Sequence, residues 1–180
     1  MKSGVKDLKF TLKAWPLITL ITVALCFLTS WVSEFAFGIE LDNQESIEQV
    51  RRMVTWLIKR LCYGAGLHWY FFKDLMSLFW MVFSLVALVP AIEEVVFRWV
   101  LFRLPAPKKP LIPAITSSVL FSAAHYLQMS WPNNAFVALF FFGMAQCWLY
   151  NKTGKLWTAL LNHALFNLTN LILIFILPAA

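Results

Sequence analysis

A cluster of charged residues interrupts an apolar run that is long enough to cross a lipid bilayer. The run Leu75–Ile92 contains no charged residue; Glu93, Glu94 and Arg98 then follow within six positions before apolar residues resume. An ionised side chain at membrane depth costs about 2.5–3.5 kcal/mol on insertion scales, so such residues are rare there and usually functional. The chain must therefore fold so that this part of the helix contacts protein or water and not lipid.

The composition of the whole chain indicates an all-α, polytopic integral membrane protein. Of its 180 residues, 61% are hydrophobic and 13% are charged, whereas soluble domains average roughly 45–50% and 25%. Since a spanning helix needs about 20 residues, we predict a bundle of about five or six transmembrane helices that encloses an intramembrane polar cavity. The net charge of +6 comes from basic residues that cluster between the apolar runs. Such clusters are typical of cytoplasmic flanks and do not indicate nucleic-acid binding.

Three of the apolar segments carry polar residues at helical spacing. Glu94 and Arg98 are four residues apart and can pair on one helix face, whereas Glu93 points about 100° away and has no intrahelical partner. Pro90 removes a backbone donor one turn earlier, which favours a locally widened helix. Lipid could not satisfy such groups, so we expect the polar faces to meet in one cavity. Two later segments carry the other stripes: Ser118, Ser122 and His125, and His163, Asn167 and Asn170.

A carboxylate, two imidazoles and an amide in one cavity suit the hydrolysis of a peptide bond. Glu93 would take a proton from water, and His125 would orient that water or shuttle the proton. His163 and Asn167 would donate hydrogen bonds to the developing oxyanion. Ser122 is the nearest candidate nucleophile, but it precedes His125 on the same helix and is expected to point into packing.

A zinc-dependent reaction is the close alternative. Glu93, His125 and His163 could supply a His₂Glu zinc site with an open fourth position. The sequence contains no His-Glu-x-x-His helix, so these ligands would have to come from three separate helices. We favour the reaction without a metal, and both remain open at this point.

In their order along the chain, these residues resemble the motifs of a known family, the CPBP intramembrane proteases. This family includes the CAAX prenyl endopeptidases and many bacterial proteins connected with bacteriocin processing or immunity. The resemblance covers about Pro90–Leu168, and Trp99 stands where the family commonly has glycine. The matching motifs are Glu93-Glu94-x-x-x-Arg98, Phe121-x-x-x-His125 and His163-x-x-x-Asn167.

The resemblance implies a membrane enzyme of the glutamate type that cleaves peptide bonds near or within the bilayer. It implies that Glu93 and His125 activate water and that His163 and Asn167 stabilise the oxyanion. It implies as partners a membrane-embedded or lipidated peptide or protein and the lipid bilayer. We predict no cofactor, with zinc as the alternative. Residues in a supporting role would be Glu94, Arg98 and Phe121.

Two other functions remain open. A non-catalytic membrane scaffold or immunity protein could use the same fold to bind a partner. A proton-coupled transporter would also explain carboxylates and histidines in the membrane, although the sequence shows no internal repeat of the kind that transporters often have.

We divide the chain into two parts. Residues 1–73 would form an N-terminal transmembrane helix, centred on Trp15–Val32, and an amphipathic segment. Within that segment, residues 48–73 could lie along the interface or cross the membrane. Residues 74–180 would form a four-helix catalytic core from the runs Leu75–Leu104, Leu111–Met129, Ala135–Tyr150 and Leu156–Leu177.

The distribution of lysines predicts the orientation in the membrane. The N-terminus and the loops that contain Lys108 and Lys152 should be cytoplasmic, since basic loops are retained on that side. We expect a multi-pass protein of a bacterial inner membrane.

Overall fold

The computed structural model describes residues 2–38, 69–104, 110–128 and 135–176, together with a few residues between 52 and 59. All regular elements in these ranges are helices, which confirms the predicted all-α class. Most of the amphipathic segment 48–73 lies outside the described residues. Numbered in chain order, the helices that the structure bounds are α1 (Lys2–Phe37), α2 (residues 69–103), α3 (Leu111–Gln128), α4 (Ala135–Thr153) and α5 (Leu156–Ile176).

The first helix is longer than the sequence predicted. The expected segment Trp15–Val32 is only the middle of α1, which begins at Lys2 and ends at Phe37. Apolarity marks the part of a helix that sits in lipid, whereas the lysine-rich start also has good helix propensity and extends it. Gly38 then follows with a φ of +64°, a left-handed conformation that glycine adopts readily and that commonly ends a helix.

Helix α2 is continuous but changes its hydrogen-bonding pattern three times. It is α-helical over Trp69–Phe83, π-helical over Ser84–Leu88, α-helical over Val89–Glu93 and π-helical again over Glu94–Arg103. In a π-helix each carbonyl accepts from the N–H five residues ahead, which widens the helix. The widening expected near Pro90 is therefore present. π-helical turns frequently occur at functional sites.

Among the described residues, two helices are long and apolar enough to cross a membrane, at Gly4–Ala36 and Phe72–Arg103. Leu111–His125 is a shorter apolar helix. Large side chains such as Trp31, Phe79 and Trp80 are exposed on the two long helices, as expected of surfaces that contact lipid. The predicted total of five or six spans stays a prediction.

The helices pack around an aromatic core. Helix α1 packs against α4 and α5, and α3 packs against α4 and against the π-helical end of α2. An ion pair also connects the helices: Lys155 Nζ lies 2.5 Å from Asp7 Oδ2. This contact joins the α4–α5 loop to the start of α1. One of the two buried clusters consists of Ile18, Phe121, Leu139, Phe142 and Phe166.

Gly143 sets how closely α3 and α4 approach. A Cβ at this position would lie 3.0 Å from both Cβ and Oγ of Ser118. We expect Gly143→Ala to destabilise the fold by about 1–3 kcal/mol, the usual cost of overpacking, as measured by thermal unfolding in detergent. Gly4→Ala is the matched control, because nothing lies within 4 Å of a Cβ there. Equal melting temperatures for the two variants would contradict this account of the α3–α4 contact.

Candidate active site

The Glu93 carboxylate lies between two imidazoles from two other helices. Its Oε1 is 3.3 Å from Nε2 of His125 on α3, and its Oε2 is 3.6 Å from Nε2 of His163 on α5. Glu93 is the last residue of the short α-helical stretch that begins just before Pro90. The three polar stripes of the sequence thus contribute side chains to one cluster.

This cluster has a buried side and an open side. The side chains of Glu93 and His125 are 18% and 27% exposed, whereas that of His163 is 4% exposed. Glu94 and Arg98 are almost completely buried. Among the described residues, the Glu93–His125 edge is therefore the more accessible side of the cluster.

The hydrogen bond on the far side of the His125 ring fixes where its first proton sits. Nδ1 lies 2.9 Å from the backbone carbonyl oxygen of Phe121. A carbonyl can only accept, so Nδ1 must carry hydrogen. Nε2 then faces the Glu93 carboxylate, and a second proton shared between these two groups would make that contact favourable. The Glu93–His125 contact thus joins a carboxylate to the ring nitrogen opposite the anchored one.

Glu94 binds two partners at once, one of which the sequence did not predict. Its Oε2 lies 3.2 Å from Nε of Arg98, which confirms the expected i,i+4 ion pair. Its Oε1 lies 2.8 Å from Nδ1 of His163. A histidine whose Nδ1 is held by a carboxylate has a fixed ring orientation. Glu94 therefore connects the buried guanidinium to an imidazole of the cluster.

Phe121 packs against the cluster and is completely buried. The guanidinium carbon of Arg98 lies 4.4 Å from the centre of its ring, a cation–π distance. The ring centroid of Phe121 is also 4.4 Å from that of His125 and 6.0 Å from that of His163. Nη1 and Nη2 of Arg98 have no hydrogen-bond partner among the described residues, so the aromatic face is a main contact of this charge.

Asn167 lies one turn beyond His163, and its side chain is directed to α2. Its Nδ2 donates to the backbone carbonyl oxygen of Leu85 at 2.7 Å. The structure thus brings together Glu93, His125 and His163, and it attaches the Asn167 amide to the backbone of the helix that carries Glu93.

Two serines hold the helices in this arrangement. Ser117 donates to the carbonyl oxygen of Phe97 at 2.5 Å and ties α3 to the π-helical end of α2. Ser122 is buried and donates to the carbonyl oxygen of Phe136 on α4. Its side chain therefore contributes to packing, as expected from its position relative to His125. The role of Ser117 was missed, because a serine that binds a backbone carbonyl leaves no pattern in the sequence.

The zinc alternative requires a group of metal ligands. In the part of the chain that the structure describes, no group of three His, Cys, Asp or Glu side chains is placed to hold a metal ion. The zinc alternative stays a prediction, as does the reaction without a metal.

A comparison with protein-family models connects this geometry to known proteins. The model described as type II CAAX prenyl endopeptidase Rce1-like matches residues 75–169. The chain belongs to this family. The match covers more than half of the chain and contains each of the residues of the cluster, and it confirms the resemblance found in the sequence. Members of the Rce1-like family are integral membrane proteases, and the two long apolar helices fit such a protein. No curated protein and no solved structure matched the chain.

Proposed function

We propose that the chain is a glutamate-type intramembrane endopeptidase that hydrolyses a peptide bond of a membrane-associated protein or peptide. The observation that carries this proposal is the position of Glu93, a carboxylate at the open edge of a buried cluster with an imidazole on each side. Membership of the Rce1-like family supports a protease acting at the membrane. The predicted polar cavity would be the space at this edge, where water meets the substrate.

In the proposed reaction, Glu93 and His125 activate water. The carboxylate takes a proton from a water molecule, and His125 orients that water and relays the proton. The hydroxide adds to the carbonyl carbon of the substrate, and the carbonyl oxygen becomes an oxyanion. When the C–N bond breaks, the same pair returns a proton to the leaving nitrogen, so the products are a carboxylate and an amine.

His163 and Asn167 would hold the oxyanion. For His163 this requires a hydrogen on Nε2 in addition to the one that Nδ1 donates to Glu94, that is, an imidazolium. Preorganised donors of this kind stabilise the charge that develops in the transition state.

This reaction needs no metal, which gives a direct prediction. We expect cleavage to survive treatment with EDTA and 1,10-phenanthroline, because Glu93 supplies the base and the imidazoles supply the donors. The measurement is the cleavage rate in proteoliposomes, with elemental analysis of the purified protein as the control. Loss of activity that added zinc restores would overturn the metal-free mechanism and favour a site formed by Glu93, His125 and His163.

A membrane topology follows from the same proposal. The contact between Asp7 and Lys155 puts the start of α1 and the α4–α5 loop at one end of the bundle. The predicted topology requires this, since it places the N-terminus and the loop after Lys152 together in the cytoplasm. We propose that the chain is a multi-pass protein with these segments on the cytoplasmic side.

A further inference from the structure

The carbonyl of Leu85 lacks the backbone donor that its helix would normally provide. In the π-helical turn the N–H of Val89 donates to the carbonyl oxygen of Ser84, five residues earlier. The same spacing assigns the carbonyl of Leu85 to residue 90. Residue 90 is proline, which has no N–H. The helix therefore leaves the Leu85 oxygen available to a donor from elsewhere.

That donor is the amide of Asn167. Its Nδ2 lies 2.7 Å from the Leu85 oxygen, across the contact between α2 and α5. Because a carbonyl oxygen accepts and cannot donate, the amide atom that faces it must be the nitrogen. A primary amide is planar, so fixing one of its two hydrogens also fixes the direction of the other.

We propose that Pro90 is a positioning residue for the reaction: it frees the Leu85 carbonyl, which anchors one hydrogen of the Asn167 amide and thereby orients the second hydrogen toward the oxyanion. The proposal rests on the proposed function for its catalytic part. Asn167 and His163 are four residues apart and share a face of α5, and Glu93 follows Pro90 by less than one turn of α2. One proline thus governs the backbone of the helix that presents Glu93 and the side chain that accompanies His163.

A stability cycle tests the anchor without any cleavage assay. Asn167→Ala should lower the melting temperature of the natural chain, because it leaves the Leu85 carbonyl without a donor. In the Pro90→Ala background the helix regains an N–H, so Asn167→Ala should lower the melting temperature by less than half as much. The cavity left by the shortened side chain is common to both backgrounds and cancels in the cycle. Equal shifts in the two backgrounds would overturn the anchor.

Pro16 supplies the matched control, since it also lies inside a helix but on α1. Asn167→Ala should lower the melting temperature equally in the Pro16→Ala variant and in the natural chain. A reduction of the shift by Pro16→Ala would show that any removed proline has this effect, and it would overturn the specific role of Pro90.

The catalytic part of the proposal is tested by measuring kcat and KM separately. Loss of one oxyanion donor costs about 10²–10³-fold in kcat, so Asn167→Ala should lower kcat within this range. Pro90→Ala should lower kcat by a smaller factor, with KM unchanged, and should have no further effect in the Asn167→Ala variant. If Pro90→Ala lowered kcat by the same factor in the natural chain and in the Asn167→Ala variant, Pro90 would act without Asn167. If the natural chain cleaves nothing, the proposed function fails, whereas the stability cycle still tests the anchor.

Discussion

Glu93→Gln is expected to lower the rate of peptide-bond cleavage by roughly 10²–10⁴-fold, the usual contribution of a general base. Glutamine has the same shape as glutamate but cannot take a proton from water. Its amide can still donate to the nitrogen of His125 that faces it at 3.3 Å, so the protein should remain folded. The measurement is kcat in proteoliposomes for a membrane-associated peptide that the natural chain cleaves.

The matched control is Glu34→Gln, which removes an exposed carboxylate from α1, a helix that contributes no residue to the cluster. This variant should cleave at the rate of the natural chain. The melting temperatures of both variants should stay close to that of the natural chain. If Glu93→Gln kept full activity, Glu93 could not be the base, and the non-catalytic scaffold would become the better account.

Glu94→Gln is expected to be damaging for a different reason. Arg98 has no exposed side-chain surface, and the substitution removes the carboxylate that lies 3.2 Å from its Nε. Breaking a buried ion pair by removing one partner costs about 3–5 kcal/mol, because the other charge is left uncompensated. We expect a loss of this size in the free energy of unfolding, measured by denaturation in mixed micelles, together with loss of activity.

A double variant separates the stability of the pair from its role in the reaction. Glu94→Gln combined with Arg98→Met removes both charges, and neutral replacement of a buried pair is often tolerated. Most of the stability should therefore return. Activity should stay low, since His163 has still lost the carboxylate 2.8 Å from its Nδ1. Recovery of activity along with stability would show that Glu94 serves only to neutralise Arg98.

The helical segments of the core could be predicted closely from hydropathy. The run Leu111–Met129 corresponds to α3, which ends at Gln128, and Leu156–Leu177 corresponds to α5, which ends at Ile176. The extension of α1 back to Lys2 was not predicted, because polar helical turns outside the membrane carry no apolar signal. The division at residue 73 and the number of spans stay predictions.

Part of the site could be predicted from helical spacing and from the cost of polar groups in lipid. The pair Glu94–Arg98 and the separate direction of Glu93 follow from the i,i+4 rule within one helix. The common location of Glu93, His125 and His163 follows from the cost of placing polar groups in lipid. The roles assigned to these three residues, and to Asn167, remain proposals.

The remaining contacts depend on how helices meet, which spacing within one helix does not determine. The bond from Glu94 to His163 joins residues far apart in the sequence. The bond from Asn167 to Leu85 also depends on a π-helical turn whose register is visible only in the folded backbone. Pro90 was the one local signal of that turn, and it indicated a widened helix without indicating which side chain would bind there.

The most direct test of the central claim is a comparison of protein termini in the membranes of cells that express the natural chain, Glu93→Gln or Glu34→Gln, at matched expression levels. An intramembrane endopeptidase that uses Glu93 as its base should generate a set of new termini in membrane-associated proteins. These termini should appear with the natural chain and with Glu34→Gln, and they should be absent with Glu93→Gln. Identical sets of termini in all three membranes would contradict the claim that this chain cleaves peptide bonds through Glu93.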